Sequence, residues 1–217
     1  MEIIKWMKRL LIIGAGSFGR EVLEYAEDIV AAGKNEWVIG GFLDDNTHAL
    51  DDYEVAYPIV GGISDYAPQE GDVFISAFGE GTSRVKFGEM IRERGGEMAN
   101  IIHPTAKILH RVEIGTGCII GMNTLIANDT KCGDYLYMNY GSIVGHDNVM
   151  GIGCTLNVYC GTNGHCTFGD YVYMGPNSTV ILGRKVGDHV NISAGAAVFN
   201  NVKSAVTVYG NPAKILK

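Results

Sequence analysis

The residues best suited to chemistry are His146 and Asp147, which are neighbours in a chain with six histidines. A carboxylate beside an imidazole orients the ring and stabilises its protonated form, so this pair suits general-base chemistry. His165 lies 18 residues after Asp147, and His110 lies 36 residues before His146. The alternative interpretation is that His146 is an ordinary surface histidine with no chemical role.

A second candidate site is the glycine-rich turn at residues 14–19, which reads Gly-Ala-Gly-Ser-Phe-Gly. It follows an apolar run over 10–13 and precedes a predicted helix over 20–32, and in that context backbone N–H groups at the helix start can bind a phosphate. Asp44 ends the next predicted strand, where it can meet a ribose or a base. The small size of the predicted domain favours a mononucleotide or nucleotide sugar over NAD, and a purely structural turn is the remaining alternative.

The elements that must position this turn alternate between strand and helix. Predicted strands cover 10–13, 37–43, 73–78 and 98–102, and predicted helices cover 20–32 and about 82–94. The order β-α-β-β-α-β predicts a small, Rossmann-like α/β domain with a largely parallel sheet. His103 precedes Pro104, and because proline restricts its neighbour we place the boundary there, giving domains 1–103 and 104–217.

His146 lies in a repeat with a period of six. From Ile108 to Val198 every sixth residue is apolar, with Thr162 as the exception among sixteen positions. This period is typical of a parallel β-helix, in which each unit is one short strand and a corner. Glycine often follows the apolar residue, which we interpret as a requirement of tight corners. A mostly small residue four positions after the apolar one completes the predicted interior.

Composition narrows the possible functions. The net charge of −7 argues against a nucleic-acid partner. No apolar run is long enough to span a membrane, and the start lacks the pattern of a signal peptide, so we expect a cytoplasmic protein. The five cysteines fall in the inward columns of the repeat, which predicts interior packing and neither disulfides nor a metal site.

The charge is distributed unevenly. After residue 180 the basic residues outnumber the acidic ones, which predicts either a site for a phosphorylated ligand or a solvated basic tail. The only acidic residue there is Asp188, and the basic ones are Arg184, Lys185, Lys203, Lys214 and Lys217.

Taken in order, these motifs resemble a known family. They are GAGSFGRE from residue 14, FLDD from residue 42, ISAFG from residue 75, IIHPTA from residue 101, GHD from residue 145 and GNPAK from residue 210. Nearly the whole chain resembles the bacterial sugar acyltransferases related to sialic acid O-acetyltransferases, including N-acetyltransferases of nucleotide-linked 4-amino-sugars. Each motif alone is weak, whereas their order and spacing together are specific.

The resemblance implies a left-handed β-helix in which three six-residue units form one triangular coil. Residues 18 apart then stack in neighbouring coils, so the repeat would form roughly five coils, with His165 next to Asp147. The resemblance also implies a homotrimer, with acetyl-CoA as co-substrate in the groove between adjacent β-helices.

The resemblance further implies roles for individual residues. His146 would be the catalytic base and Asp147 its assistant. The substrate would be bound by Gly14, Gly16, Ser17, Phe18, Gly19, Asp44, Asp45 and Asn139. The coenzyme would be bound by His165, Gly175, Ala194, Gly195, Asn211, Pro212 and Lys214. Many relatives carry histidine where this chain has Phe18, which leaves the identity of the sugar open.

We therefore predict direct transfer of an acetyl group from acetyl-CoA to the amine of a nucleotide-linked 4-amino-sugar, in surface glycan biosynthesis. No cysteine nucleophile is expected, because the repeat buries the cysteines. No catalytic metal is expected, because the chain has no pair of histidines five apart, the spacing used by hexapeptide-helix carbonic anhydrases. O-acetylation of sialic acid or another polysaccharide sugar is one alternative, and a non-enzymatic trimeric scaffold is another. The nucleotide and the acyl length stay open.

Overall fold

The computed structural model describes residues 7–216. Residues 1–6, which belong to the predicted first domain and to the segment considered as a signal peptide, lie outside it, as does Lys217 of the basic tail. Among the described residues, no helix combines the length and apolarity needed to cross a membrane.

The N-terminal region is a five-stranded parallel sheet in the order β3-β2-β1-β4-β5, with helices α1 and α2. The elements are β1 (Lys8–Ile13), α1 (Ser17–Ala31), β2 (Trp37–Leu43), β3 (Ile59–Gly61), β4 (Asp72–Ser76), α2 (Gly81–Glu93) and β5 (Glu97–Met98). Side chains of alternating strand positions form two apolar clusters, one that includes α1 and one that includes α2. The predicted α/β fold is confirmed, although helix α1 begins three residues before the predicted start at Arg20.

Two details of this region differ from the prediction. Strand β3 lies in a stretch predicted to be loop. The sequence did not predict this strand, because it is only three residues long and partly exposed. The predicted strand 98–102 is two strands: β5 pairs with β4, whereas β6 (Ile101–Ile102) pairs with Ile119–Ile120 of the repeat. The β-helix therefore begins two residues before the predicted domain boundary.

The repeat folds into a parallel β-helix with three sheets. The first coil sheet contains β6, β9 (Ile119–Ile120), β12 (Tyr137–Met138), β15 (Thr155–Leu156), β18 (Tyr173–Met174), β21 (Asn191–Ile192) and β23 (Thr207–Tyr209), with antiparallel β24 (Lys214–Ile215) at its end. The second contains β7 (Lys107–Ile108), β10 (Leu125–Ile126), β13 (Ile143–Val144), β16 (Gly161–Thr162), β19 (Thr179–Val180) and β22 (Ala197–Val198). The third contains β8 (Glu113–Ile114), β11 (Lys131–Cys132), β14 (Val149–Met150), β17 (Thr167–Phe168) and β20 (Lys185–Val186).

The pairing register confirms the 18-residue coil, since Leu125 pairs with Ile143 and Ile143 pairs with Gly161. The apolar column fills the interior, together with all five cysteines, which are buried and free. Burial raises the pKa of Cys118, Cys132 and Cys154 to about 12, so these thiols stay protonated. The prediction that the cysteines are packing residues is confirmed.

Glycine follows the apolar column for a different reason from the predicted one. At Gly151 the backbone φ lies outside the left-handed region, but a Cβ atom there would lie 2.5 Å from the carbonyl oxygen of Gly169 in the next coil. The left-handed residue of this corner comes two positions later, at Gly153, with φ +67°. Close approach between coils therefore selects glycine at 151, and backbone conformation does not.

The N-terminal region packs against the outer face of the first coil sheet. Ile101, Ile119 and Tyr137 of that sheet belong to the apolar cluster of α1. Arg84 of α2 is fully buried there, and its guanidinium donates to the carbonyl oxygens of Tyr135, at 2.9 Å, and of Cys154, at 3.0 Å. Further acceptors are the Phe78 and Gly153 carbonyls and the Thr155 hydroxyl. Burial among these neutral groups lowers the pKa of Arg84 to about 10.

Candidate active site

His146 lies on the corner between strand β13 of the second coil sheet and strand β14 of the third. Its Nδ1 is 2.7 Å from Oδ2 of Asp147, and both side chains are about half exposed, at 49% and 43%. A carboxylate accepts, so Nδ1 carries the hydrogen and donates it to Asp147. In the neutral form of such a ring, Nε2 has the free lone pair, which is the arrangement that a general base requires.

His165 lies one coil further along the same corner, as the 18-residue spacing predicts. Its Nε2 is 3.8 Å from Asp147 Oδ2, and its ring meets the His146 ring edge to face, with centroids 5.0 Å apart. The predicted proximity of the three side chains is confirmed. Whether His165 contacts the coenzyme stays a prediction.

A second charged pair lies on this corner, with Asp129 one coil before Asp147 and Arg111 two coils before it. The Arg111 guanidinium donates to both carboxylate oxygens of Asp129, with Nη2 2.8 Å from Oδ2. This pairing lowers the pKa of Asp129 to about 2. We did not predict this pair, although Arg111 and Asp129 are 18 residues apart and the coil spacing would have revealed it.

His146, Asp147 and His165 also offer ligand atoms that lie within 4.8 Å of one another, a geometry that could surround a metal ion. All three side chains are exposed, and exposed groups of this kind occur commonly without an ion. The acyl transfer predicted from the sequence needs no metal. The expectation of metal-free chemistry stays a prediction.

The glycine-rich turn has the predicted place between β1 and α1. Gly14 has φ +98°, which favours glycine, and a side chain at Gly19 would collide with the Gly14 carbonyl oxygen. Gly16 precedes the first residue of α1, and no side chain caps the helix. Backbone N–H groups at the start of α1, from Ser17 onwards, therefore face a possible anion without a competing cap.

The acidic residues predicted to bind the substrate also hold the loops of this domain. Asp44 Oδ2 accepts the Ala15 N–H at 2.8 Å, which ties the end of β2 to the glycine-rich turn. Asp45 Oδ1 accepts the backbone N–H of Ser64 at 3.0 Å and its hydroxyl at 3.1 Å. The Ser64 hydrogen bonds lower the pKa of Asp45, so this carboxylate is charged near neutral pH.

Phe18 has an aromatic partner in the β-helix. Its ring lies 4.5 Å, centroid to centroid, from that of Tyr137 on the first coil sheet. The next basic residue, Arg20, stacks over the ring of Tyr53 at 3.5 Å from the centroid. Phe18 therefore contributes to the packing of the glycine-rich turn on the coil, and a direct contact with the sugar stays a prediction.

The structure does not bring the two candidate sites together within one chain. The glycine-rich turn belongs to the domain that covers the first coil sheet, whereas His146 lies where the second and third sheets meet. Asn139 is on another corner, between the first and second sheets, where its Oδ1 accepts the Tyr140 N–H at 2.7 Å. A cleft of about 360 Å³ between α2 and the coil contains none of these residues.

The residues predicted to bind the coenzyme fall into three places. His165 is beside His146. Gly175, Ala194 and Gly195 lie on the corner of Asn139, after β18 and β21. Asn211, Pro212 and Lys214 lie at the end of the chain, in the turn before β24 and in its first residue.

Comparison with known proteins adds two likenesses in sequence. Residues 9–91 match the family model of the PglD N-terminal domain. The chain is 28% identical over 213 residues to GDP-perosamine N-acetyltransferase of Escherichia coli O157:H7, covering 95% of both proteins.

Two solved structures are similar along the whole chain. PerB from Caulobacter crescentus, in complex with CoA and GDP-perosamine, is 27% identical with a TM-score of 0.85 and covers 96% of this chain and 97% of its own. The acetyltransferase domain of PglB from Neisseria gonorrhoeae, in complex with acetyl coenzyme A, is 26% identical with a TM-score of 0.86 and covers 97% of this chain and 100% of its own. These likenesses confirm the resemblance predicted from the sequence: the chain is similar over nearly its full length to sugar N-acetyltransferases of the hexapeptide-repeat superfamily.

Proposed function

We propose that this protein is an acetyl-CoA-dependent N-acetyltransferase whose acceptor is the amino group of a nucleotide-linked 4-amino-sugar used in surface glycan biosynthesis. The observation that carries the proposal is the His146–Asp147 pair, in which Nδ1 contacts the carboxylate at 2.7 Å on a half-exposed coil corner, so that Nε2 is left for a substrate. Proteins similar over the whole chain include an N-acetyltransferase of a nucleotide-linked amino sugar and structures with CoA or acetyl-CoA bound.

The proposed reaction is direct transfer. The sugar amine attacks the thioester carbonyl carbon, and His146 Nε2 takes a proton from the amine as the carbon–nitrogen bond forms. The tetrahedral intermediate carries an oxyanion, which a backbone N–H of the coil can stabilise. Collapse breaks the carbon–sulfur bond and releases CoA, whose sulfur receives the proton. The cysteines are buried and have no part in this sequence of steps.

We infer that the active site is completed by assembly. The glycine-rich turn and His146 lie on different sides of one β-helix, so a nucleotide sugar held by the turn cannot be assigned to the His146 corner of the same chain. A homotrimer would place a second β-helix beside that corner and form the groove for acetyl-CoA. Light scattering at catalytic concentrations should give three times the chain mass, and a monomer that is fully active would contradict this placement.

The test of function is release of the CoA thiol with a panel of acceptors. The panel contains UDP-, dTDP- and GDP-linked 4-amino-sugars, free sialic acid and its CMP-linked form. We expect release with a nucleotide-linked amino sugar and an acetylated amine in the product by mass spectrometry. Release only with hydroxyl acceptors would show an O-acetyltransferase. No release, together with no rise in melting temperature with acetyl-CoA, would favour the scaffold.

A further inference from the structure

The imidazole of His146 lies directly over Gly164, its neighbour in the next coil. A Cβ atom built on Gly164 would lie 2.5 Å from Nε2 and 2.9 Å from Nδ1 of His146, and closer still to Cε1. Nonbonded heavy atoms prefer separations of about 3.5–4.0 Å, so no side chain fits at position 164 while the ring stays where it is.

Backbone conformation does not explain this glycine. The φ of Gly164 lies outside the left-handed region, whereas the left-handed positions of this corner are Asp147 and His165, at +53° and +57°. Earlier coils carry His110 and Asn128 at the equivalent position, so the corner accepts side chains there. Space for the His146 ring is therefore the reason for glycine at 164.

Two other groups fix the same ring. Asp147 accepts from Nδ1, and the ring of His165 meets the imidazole edge to face at 89°. The backbone of the next coil is itself held in register, because the His165 N–H donates to the His146 carbonyl at 2.9 Å. The imidazole is thus held by Asp147, His165 and the bare backbone at Gly164.

We propose that Gly164 is a positioning residue for the catalytic imidazole: its missing side chain leaves room for the ring beside the next coil while Nδ1 contacts Asp147. The role in catalysis rests on the proposed function, whereas the effect on the ring does not. A methyl group at 164 forces the ring to rotate about its side-chain torsions, which breaks the Nδ1–Asp147 hydrogen bond and moves Nε2.

The decisive variant is Gly164→Ala, and Gly161→Ala is its matched control. Gly161 lies three residues earlier in the same coil, its φ is also outside the left-handed region, and an added Cβ would meet only the Thr179 hydroxyl at 3.8 Å. Gly164→Ala should lower kcat by about 10²-fold, the cost of misplacing a catalytic group by about 1 Å. KM for acetyl-CoA should change less than about twofold, because uniform binding is left intact. Gly161→Ala should match the wild type.

Crystal structures of both variants would show the position of the His146 ring and do not depend on an activity assay. A rotated His146 ring in Gly164→Ala with an unmoved ring in Gly161→Ala supports the proposal, and an unmoved ring with an intact Nδ1–Asp147 bond in both overturns it. The crystallographic comparison decides the question even if the protein acetylates no acceptor. If Gly164→Ala fails to fold, the double variant with His146→Ala decides: restored folding supports a collision with the ring, and continued misfolding overturns it.

Discussion

Two histidines of the β-helix are each hydrogen-bonded to an aspartate, and the two pairs differ in which ring nitrogen is left without a partner. His103 is buried under α1, with its side chain 6% exposed and its Nε2 2.8 Å from Oδ2 of Asp28. Its Nδ1 accepts the Thr105 backbone N–H at 3.1 Å, so the hydrogen must be on Nε2, which donates to Asp28. Both ring nitrogens of His103 are therefore used inside the protein.

His146 has the opposite arrangement. Its Nδ1 donates to Asp147, and within residues 7–216 no group hydrogen-bonds its Nε2. The residue types are the same in both pairs, so a histidine beside an acidic residue does not by itself mark a base. What distinguishes them is their surroundings: His103 lies where the N-terminal region packs on the first coil sheet, whereas His146 lies on an exposed corner, with its side chain 49% exposed.

The largest expected effect separates the two histidines. His146→Ala should lower kcat by about 10²–10⁴-fold, the usual contribution of a general base, with little change in KM for acetyl-CoA. Its free energy of unfolding should change by no more than about 0.5 kcal/mol, because the side chain is half exposed. Thiol-release kinetics and urea unfolding measure the two quantities.

His103→Ala is the counterpart and should show the reverse. It removes hydrogen bonds to Asp28 and Thr105 in a buried setting, so the free energy of unfolding should fall by about 1–3 kcal/mol. The kcat of the folded enzyme should stay at the wild-type value. If the two variants lost activity equally, the distinction between a packing pair and a catalytic pair would be wrong.

Arg84 tests how firmly the covered face is held. Arg84→Met keeps most of the volume but leaves buried carbonyls such as those of Tyr135 and Cys154 without donors, so we expect a loss of about 2–5 kcal/mol in unfolding free energy. Arg94→Met is the control, because Arg94 donates to the Ile63 and Ser64 carbonyls from an exposed position. That variant should lose only about 1 kcal/mol. Equal losses in urea unfolding would mean that burial of Arg84 adds nothing.

Most of the fold follows from local pattern, and the exceptions have physical causes. A period of six is visible because each coil repeats the same inward positions, whereas β3 is too short to show a pattern. The entry into the coil could not be predicted, because it depends on Asn100: its side-chain oxygen accepts the Cys118 N–H and its amide donates to the Gly115 carbonyl, both at 2.8 Å. A polar side chain thus replaces a strand contact that backbone normally makes.

In the candidate site, too, some contacts could be predicted from the sequence and others could not. The contact between Asp147 and His165 follows from the 18-residue coil alone. Arg84 could not be assigned its structural role, because its partners on the coil lie 51 to 71 residues away and depend on how the N-terminal region packs there. The same packing decides which coil face is covered, and so the separation of the glycine-rich turn from His146 was beyond sequence reasoning.

Asp147→Asn should sharpen the comparison with a smaller effect. The amide can still accept from Nδ1, but it loses the charge that favours the protonated ring. An exposed charge pair is worth up to about 1 kcal/mol, so kcat should fall by about tenfold or less. A crystal structure of the variant is the second measurement, and the contact between His146 Nδ1 and the side chain at position 147 should persist in it. An unchanged kcat would contradict the assistance assigned to Asp147.

The smallest effect concerns Asp129, one coil before His146 on the same exposed corner. Arg111 lowers its pKa to about 2, from a model-compound value of 3.8. Because the pKa of Asp129 is lower in the folded state, the pair stabilises the folded protein above about pH 4, and this contribution is lost as the pH falls through about 2. In Arg111→Gln, Asp129 should titrate nearer its ordinary value, and carboxyl NMR signals followed from pH 6 to pH 2 would show this. The pair is exposed, so kcat near neutral pH should not change. A large loss of activity in this variant would mean that the Arg111–Asp129 pair also affects His146, although it lies beyond the residues that contact the ring, which are Asp147, Gly164 and His165.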